Sequence, residues 1–410
     1  MEESFPLDLK EELSESGEKI GIEAELEEDT IQPFDPQEIS IQQRNVAMDV
    51  IIRRLRQGSI QLAPSFQRKE VWNSTRKCRL IESLMLKIPL PMFYVAADEE
   101  GNWEVVDGLQ RLSTIRDFII GNKDGVRLQL KNLEFLGSKY DGKTFAAIEN
   151  DINEQKLVND IYETEMRFTV INPGTPEAVK RNIFKRINTG GMPLTSQEIR
   201  HALYEGKSSQ LLQELTNSKE FLKTVGSKID DSRMGASELI LRLLSFMLID
   251  RSFYKSGMDN WLSDTMRIIN LFPNPKDIQL IKIFQNTEMP ILKLQTIDEI
   301  KSKFELAMLR SAIIFDGHAF RKSLPGDTRK SPINKSLFEI WGNILSELSN
   351  ESFVKLEINK ELLLKEYALL FKDLEFNNAI SRHSSSSKGV MDGFSRIKVL
   401  VEKIINGEES

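Results

Sequence analysis

The residues best able to do chemistry sit in one short run, Val105-Val106-Asp107-Gly108-Leu109-Gln110-Arg111. The alternating WEVV stretch at 103–106 reads as a strand, Asp107-Gly108 as a tight turn, and Gln110 to about Ile120 as a helix. A helix that opens straight from such a turn presents backbone N–H groups without intrahelical acceptors, at the positive end of its dipole. That geometry binds anions, phosphates above all. Arg111 adds a permanent charge and a forked donor at the same end. Asp107 is open to three roles: capping the helix, holding a metal ion, or positioning a nucleophile. The plainer alternative is an ordinary strand–turn–helix with Arg111 in solvent.

A second polar pair, Gln67-Arg68, closes the stretch Pro64-Ser65-Phe66-Gln67-Arg68 ahead of Trp72. Two Gln-Arg pairs flanking one compact α/β unit could converge on a single anionic ligand. Alternatively, Arg68 pairs with an acid such as Glu70 or Glu82. Basic residues also cluster at Arg53, Arg54 and Arg56, and at Lys180, Arg181, Lys185 and Arg186. They read either as solvated helix faces or as salt-sensitive contacts to a DNA backbone.

The elements that must position these residues follow from periodicity. Residues 46–57 carry Val46, Ile51 and Leu55 on a helical stripe that stops at Gly58, and 59–63 alternate like a short strand. Asn73 is placed as the N-cap of a helix through Lys87, with Leu80, Ile81, Leu84 and Met85 inward. The apolar run at 92–96 is a buried strand, and 166–171 is another. A helix at 176–187, an NTGG loop at 188–191 and a further helix come next. Thr195 and Glu198 fit a capping box at the start of that last helix. From about 206 onward the periodicity is helical, as in SELILRLLSFMLID at 237–250. The expected fold class is therefore α+β: an acidic disordered tail at 1–40, an α/β domain at 41–205 and an all-α helical domain at 206–410.

Composition narrows the chemistry. With 40% hydrophobic residues in 410, the chain can build a real core, which excludes global disorder. One cysteine, Cys78, rules out an intrachain disulfide and a cysteine-rich zinc site. Three histidines, His201, His318 and His383, leave little for histidine-based metal chemistry, and His201 reads as a packed or surface residue. Residues 1–40 hold fourteen acids against two bases, a charge of −12, so the other 370 residues carry +5 within a net −7. Such a tail could solubilise the chain or compete with nucleic acid for a basic surface on the body. No apolar run is long enough for a membrane span and the first residues are acidic, so no membrane and a cytoplasmic location are expected.

Taken together, PSFQR…VW…LIESLMLKIPLPMFYV…WEVVDGLQRLSTIRDFI resembles the N-terminal domain of GmrSD-type restriction endonucleases. FKRINTGGMPLTSQEIRHAL at 184–203 matches the family's second landmark, and RMGASELILR at 233–242 continues the likeness more loosely. The resemblance implies a ParB/sulfiredoxin-like fold in which a DGQQR-type turn binds nucleotide or DNA phosphates. By position that motif falls on Asp107, Gly108, Leu109, Gln110 and Arg111, with Gln67 and Arg68 on the facing loop. Asn188 lies in a loop that borders the same cleft or simply joins two helices. Leu109 stands where the family usually has glutamine. Its apolar side chain cannot hydrogen-bond, which weakens the expectation of hydrolysis more than that of binding.

Many relatives carry a C-terminal HNH nuclease domain, whose chemistry needs histidine as base and metal ligand. The C-terminal half here holds only His318 and His383, far apart, so no HNH domain is expected. The resemblance implies a prokaryotic anti-phage or restriction protein that binds a nucleoside triphosphate (NTP), with Mg²⁺, and DNA. As an NTPase or metal-dependent endonuclease it would use Asp107 for the metal or as general base, with Gln110 and Arg111 on the phosphates. The alternative is a non-catalytic sensing module that acts with a separately encoded nuclease subunit.

Overall fold

The computed structural model describes residues 10–13, 19–24, 40–62, 72–122, 124–176, 179–183, 195–226, 229, 231, 233–255, 257–284 and 290–407. The chain divides into two compact units, one of residues 32–194 and one of residues 1–31 together with 195–410. Each is an architecture of its own.

The first unit is built on a five-stranded mixed sheet. Its strands are β3 (Ile41–Ala47), β4 (Ile60–Gln61), β5 (Phe93–Ala97), β6 (Trp103–Asp107) and β7 (Glu165–Ile171), in the order β3-β7-β5-β6-β4. β7 and β5 run parallel at the centre, and their inward residues are apolar because helices cover that face. Phe168 of β7 stacks on Phe93 at 5.1 Å and meets Trp103 at 5.2 Å. Helices α1 (Met48–Arg56), α2 (Ser74–Met85), α3 (Leu109–Ile119), α4 (Gly137–Tyr140), α5 (Phe145–Glu149) and α6 (Gln155–Glu163) complete the unit. Ile51, Ile81, Leu112, Ile115, Phe118 and Ile161 share one core with the sheet.

Several expectations hold to within a residue or two. Asn73 caps α2, its Oδ1 accepting the Arg76 N–H at 2.9 Å. The helix expected from residue 46 starts at Met48, because Ile41–Ala47 form a strand. That strand escaped a pattern search since Ile41 to Asn45 are exposed on both faces and show no alternation. Helices α4 to α6 had no prior counterpart. The loop leading into them is held by Glu82 rather than by its own sequence. Its buried carboxylate accepts the N–H groups of Glu134, Phe135 and Leu136 at 2.9, 2.7 and 2.8 Å. Burial alone would raise the Glu82 pKa, but these bonds and Arg79 hold it below the usual range.

The second unit is helical. It contains α7 (Ser196–Leu203), α8 (Lys207–Thr216), α9 (Lys219–Val225), α10 (Gly235–Leu248), α11 (Met258–Leu271) and α12 (Asp277–Phe284). The remainder are α13 (Ile297–Phe315), α14 (Lys335–Glu347), α15 (Asn350–Ile358), α16 (Lys360–Leu370), α17 (Leu374–Ser381) and α18 (Ser387–Asn406). α10 is apolar on nearly every side and lies at the centre, as its sequence demands. Phe304, Trp341, Tyr367 and Phe394 belong to the same core.

Part of the expected disordered tail, residues 10–13 and 19–24, is corrected by this unit. Within residues 1–40, β1 (Glu11–Leu13) and β2 (Lys19–Glu23) form an antiparallel hairpin, and Ile20 and Ile22 enter the helical core. Charge counting missed it because the acids are individually answered. Glu12 pairs with Lys335 at 2.7 Å, Glu23 with Lys322 at 2.6 Å, and Glu11 with Lys19 at 3.5 Å. Backbone bonds to Ile333 fix the register: Glu23 N–H donates to its carbonyl and its own N–H to that of Gly21, both at 2.8 Å. The boundary expected at 205/206 also moves, since Thr195 and α7 belong to the helical unit.

Candidate functional site

The DGLQR run lies where β6 ends and α3 begins, and a kink in the sheet sets its direction. Val95 faces Val105, but the next residue of β5, Tyr94, faces Asp107, so Val106 is an extra residue bulged out of the ladder. Such a bulge turns the strand end and re-aims the side chain that follows it. Gly108 then takes φ +98°, a left-handed conformation that favours glycine. Space forbids any other residue too: an added Cβ would lie 2.3 Å from the Phe93 ring. The turn is thus pressed against the sheet.

α3 starts on this glycine with no side chain capping it. α2 and α7 are by contrast capped by Asn73 and Thr195. The first-turn N–H groups of α3 have no intrahelical acceptor, and the dipole is positive there. Leu109 packs on the core beneath, which suits an apolar residue at this position. Gln110 is half-buried, and its carbonyl accepts the Thr114 hydroxyl at 2.7 Å.

Arg111 is more committed than a solvent-facing phosphate ligand would be. Its Nη2 donates to Asp107 Oδ2 at 2.9 Å and to the Met92 carbonyl at 3.3 Å, and its Nη1 donates to the Pro91 carbonyl. The guanidinium lies over the Phe93 ring at 4.6 Å. Three of its five donors therefore clamp the entrance of β5 to the end of β6. Burial lowers the Arg111 pKa, and the neighbouring Asp107 opposes that. Pro91, Met92 and Phe93 are the partners that sequence reading missed. The apolar MFYVA run marks Met92 and Phe93 as strand and gives no sign that they hold an arginine.

Residues 51–205 match the family model of the GmrSD restriction endonuclease, N-terminal domain. Over this segment the chain is similar to that domain. No curated protein matches the chain. Within the matched segment the structure brings Asp107, Gly108, Leu109, Gln110 and Arg111 together on one turn, while Gln67, Arg68 and Asn188 lie outside the described residues. The alternative partner suggested for Arg68, Glu82, is taken up by the backbone of 134–136. Among the described residues, no three His, Cys, Asp or Glu side chains gather as metal ligands would. Asp107, 37% exposed at its side chain, is the carboxylate on the turn itself.

The basic clusters are partly drawn inward. Arg54 lies 4.0 Å over the Trp103 ring and donates to the Gly101 carbonyl, while Arg53 and Arg56 are exposed. Arg181 is buried. One-dimensional spacing counted all of these as a charged face.

The end of the family's second landmark belongs to the helical unit. Thr195 and Glu198 make the expected capping box, with Glu198 N–H donating to Thr195 Oγ1 at 3.1 Å and Thr195 N–H to Glu198 Oε2 at 2.6 Å. Arg200, 2% exposed, donates to Gln197 at 2.8 Å and Glu238 at 2.9 Å and also pairs with Asp259. Glu238 in turn accepts from Lys335 at 2.7 Å. Burial would raise the Glu238 pKa, yet Lys335 and Arg200 hold it well below the glutamate range. Burial drives His201 down to about 4, so it is a neutral, packed residue, as its sequence context suggested. The helices of the chain include none long and apolar enough to cross a membrane, among the described residues.

Proposed function

We propose that this chain is a restriction-type defence protein whose GmrSD domain binds a nucleoside triphosphate through the Asp107–Arg111 turn. The observation that carries this reading is the start of α3, which no side chain caps, with Gly108 bent against Phe93. Phosphate oxygens would accept the first-turn N–H groups of α3. Gln110 would supply a further side-chain donor, and Arg111 would set the long-range charge while fixing the turn. A Mg²⁺ ion carried on the triphosphate needs only one or two carboxylates from a protein. Asp107 fits that role, and when bound the ion would neutralise phosphate charge. Gln67, Arg68 and Asn188 are proposed to complete the ligand shell from neighbouring loops.

A second reading, a non-catalytic sensing module that serves a separate nuclease, draws support from the Asp107–Arg111 pair at 2.9 Å. A carboxylate oxygen already engaged by an arginine of its own helix is not free to meet a substrate. Both readings share the binding step, so the test addresses it first. Calorimetry of the full chain with each of the four ribonucleoside triphosphates and Mg²⁺ should give saturable heat with at least one. Arg111→Ala should weaken that affinity at least about tenfold, since it removes both the brace of the turn and the positive charge beside the phosphates. No heat from any nucleotide, in a protein that melts cooperatively, sinks the reading. Phosphate release in the same samples separates hydrolysis from sensing, and duplex DNA in place of nucleotide tests the DNA partner.

A further inference from the structure

The two edges of the sheet are unlike. β4, at one edge, is two residues long, which is the usual way of blunting an edge. β3, at the other, runs seven residues in unbroken antiparallel register with β7, from Ile41 opposite Ile171 to Ala47 opposite Glu165. It has no proline and no bulge, and Ile41 to Asn45 are all exposed. Its one charge, Arg44, is drawn along the strand by Gln42, whose Oε1 accepts from Nη2 at 2.6 Å and Nε at 3.0 Å.

The ladder tells which groups are free. Asn172 N–H donates to the Ser40 carbonyl at 2.9 Å and Met48 N–H to the Thr164 carbonyl at 3.0 Å, and both are directly opposed pairs. Hydrogen-bonded pairs alternate along an antiparallel ladder, so residues 40, 42, 44, 46 and 48 point their backbone groups at β7. Ile41, Gln43 and Asn45 point theirs outward, and among the described residues β3 has no strand neighbour on that side and no other backbone group answers them. An edge left this open is a template for another strand.

We infer that β3 pairs antiparallel with β3 of a second copy of this chain, about a two-fold axis at Gln43, to join two five-stranded sheets. Charge selects the register. Full overlap of the two strands would centre the axis on Arg44 and oppose two like charges in a close, non-hydrogen-bonded pair, which is unfavourable. Moving the axis to Gln43 keeps the outward residues in hydrogen-bonded positions, with Ile41 opposite Asn45 of the partner subunit and Gln43 opposite the partner's Gln43. It also sets Arg44 opposite the partner's Gln42, the same side-chain chemistry that Arg44 already uses within its own strand. An axis at Asn45 would face Arg44 with an apolar valine.

Sedimentation of the full chain over a concentration series should show a monomer–dimer equilibrium. Gln43→Pro removes only an outward N–H, so the melting temperature should stay while the dimer dissociation constant rises about tenfold or more. Gln43→Lys, which keeps the backbone intact, brings two ammonium groups together at the axis and should also weaken the dimer, less so at high salt. Mixing Gln43→Lys with Gln43→Glu should restore association as a heterodimer, which a different interface would not do. A chain that stays monomeric at every concentration overturns the inference. So does a dimer indifferent to Gln43→Lys, including one formed while a separate protein occupies the β3 edge.

Discussion

The turn at Asp107–Arg111 and the helix start at Thr195–Arg200 are built from the same parts, an arginine, a carboxylate and a helix N-terminus, yet they are finished in opposite ways. At Thr195 the helix closes on itself: the capping box satisfies its first donors, and Arg200 is buried among Gln197, Glu238 and Asp259. At Gly108 the helix is left uncapped, and Arg111 braces the turn from behind through Asp107, Pro91, Met92 and Phe93. The difference teaches how to tell scaffold from site. Where a helix start is satisfied by its own side chains, the charged residues hold the fold. At α3, braced but without a side-chain cap, the first-turn donors are those the proposed nucleotide would use.

Substitutions can break this contrast. Arg200→Ala should have the largest effect on stability, because it leaves Glu238 and its neighbours partly uncompensated in the helical core. Breaking such a buried pair costs about 3–5 kcal/mol. Denaturant unfolding should show that loss, and a change below about 1 kcal/mol would mean the network is not holding α7 to α10 and α11. Gly108→Ala should cost less stability, about 1–3 kcal/mol from a strained φ. Its larger effect should be on ligand: the Cβ pushes Phe93 and Arg111 aside, and nucleotide affinity should fall below detection in calorimetry. Retained affinity would show that the turn geometry is incidental. Thr195→Ala should be the mildest, about 1 kcal/mol from the lost cap, with nucleotide binding unchanged. A drop in binding there would erase the distinction between the two helix starts.

Local pattern carried much of this far. The Asn73 cap, the Thr195–Glu198 capping box, the Gly108 turn and the strands at 93–97, 103–107 and 165–171 depend on neighbours within a few residues, and those signals were legible. What was not legible depends on partners distant in sequence. The hairpin at 11–23 finds Lys322 and Lys335 some three hundred residues away, so its acids looked like a repelling tail. Glu82 organises a loop more than fifty residues later. β3 exposes both faces, so it lacks the alternation by which strands are recognised.

By itself the sequence determined that an α/β unit precedes a helical one, and that a glycine turn opens a helix at Gly108 with Asp107, Gln110 and Arg111 beside it. Only the tertiary structure decided what those side chains do. The bulge at Val106, the ring of Phe93 and the carbonyls of Pro91 and Met92 turn Arg111 from a solvent-facing cation into a brace. The same holds for the N-terminal acids, Arg54 and Arg200. The reason is physical: capping, turn formation and helical periodicity are short-range, whereas the partner of a charge is chosen by proximity in space after the chain has folded.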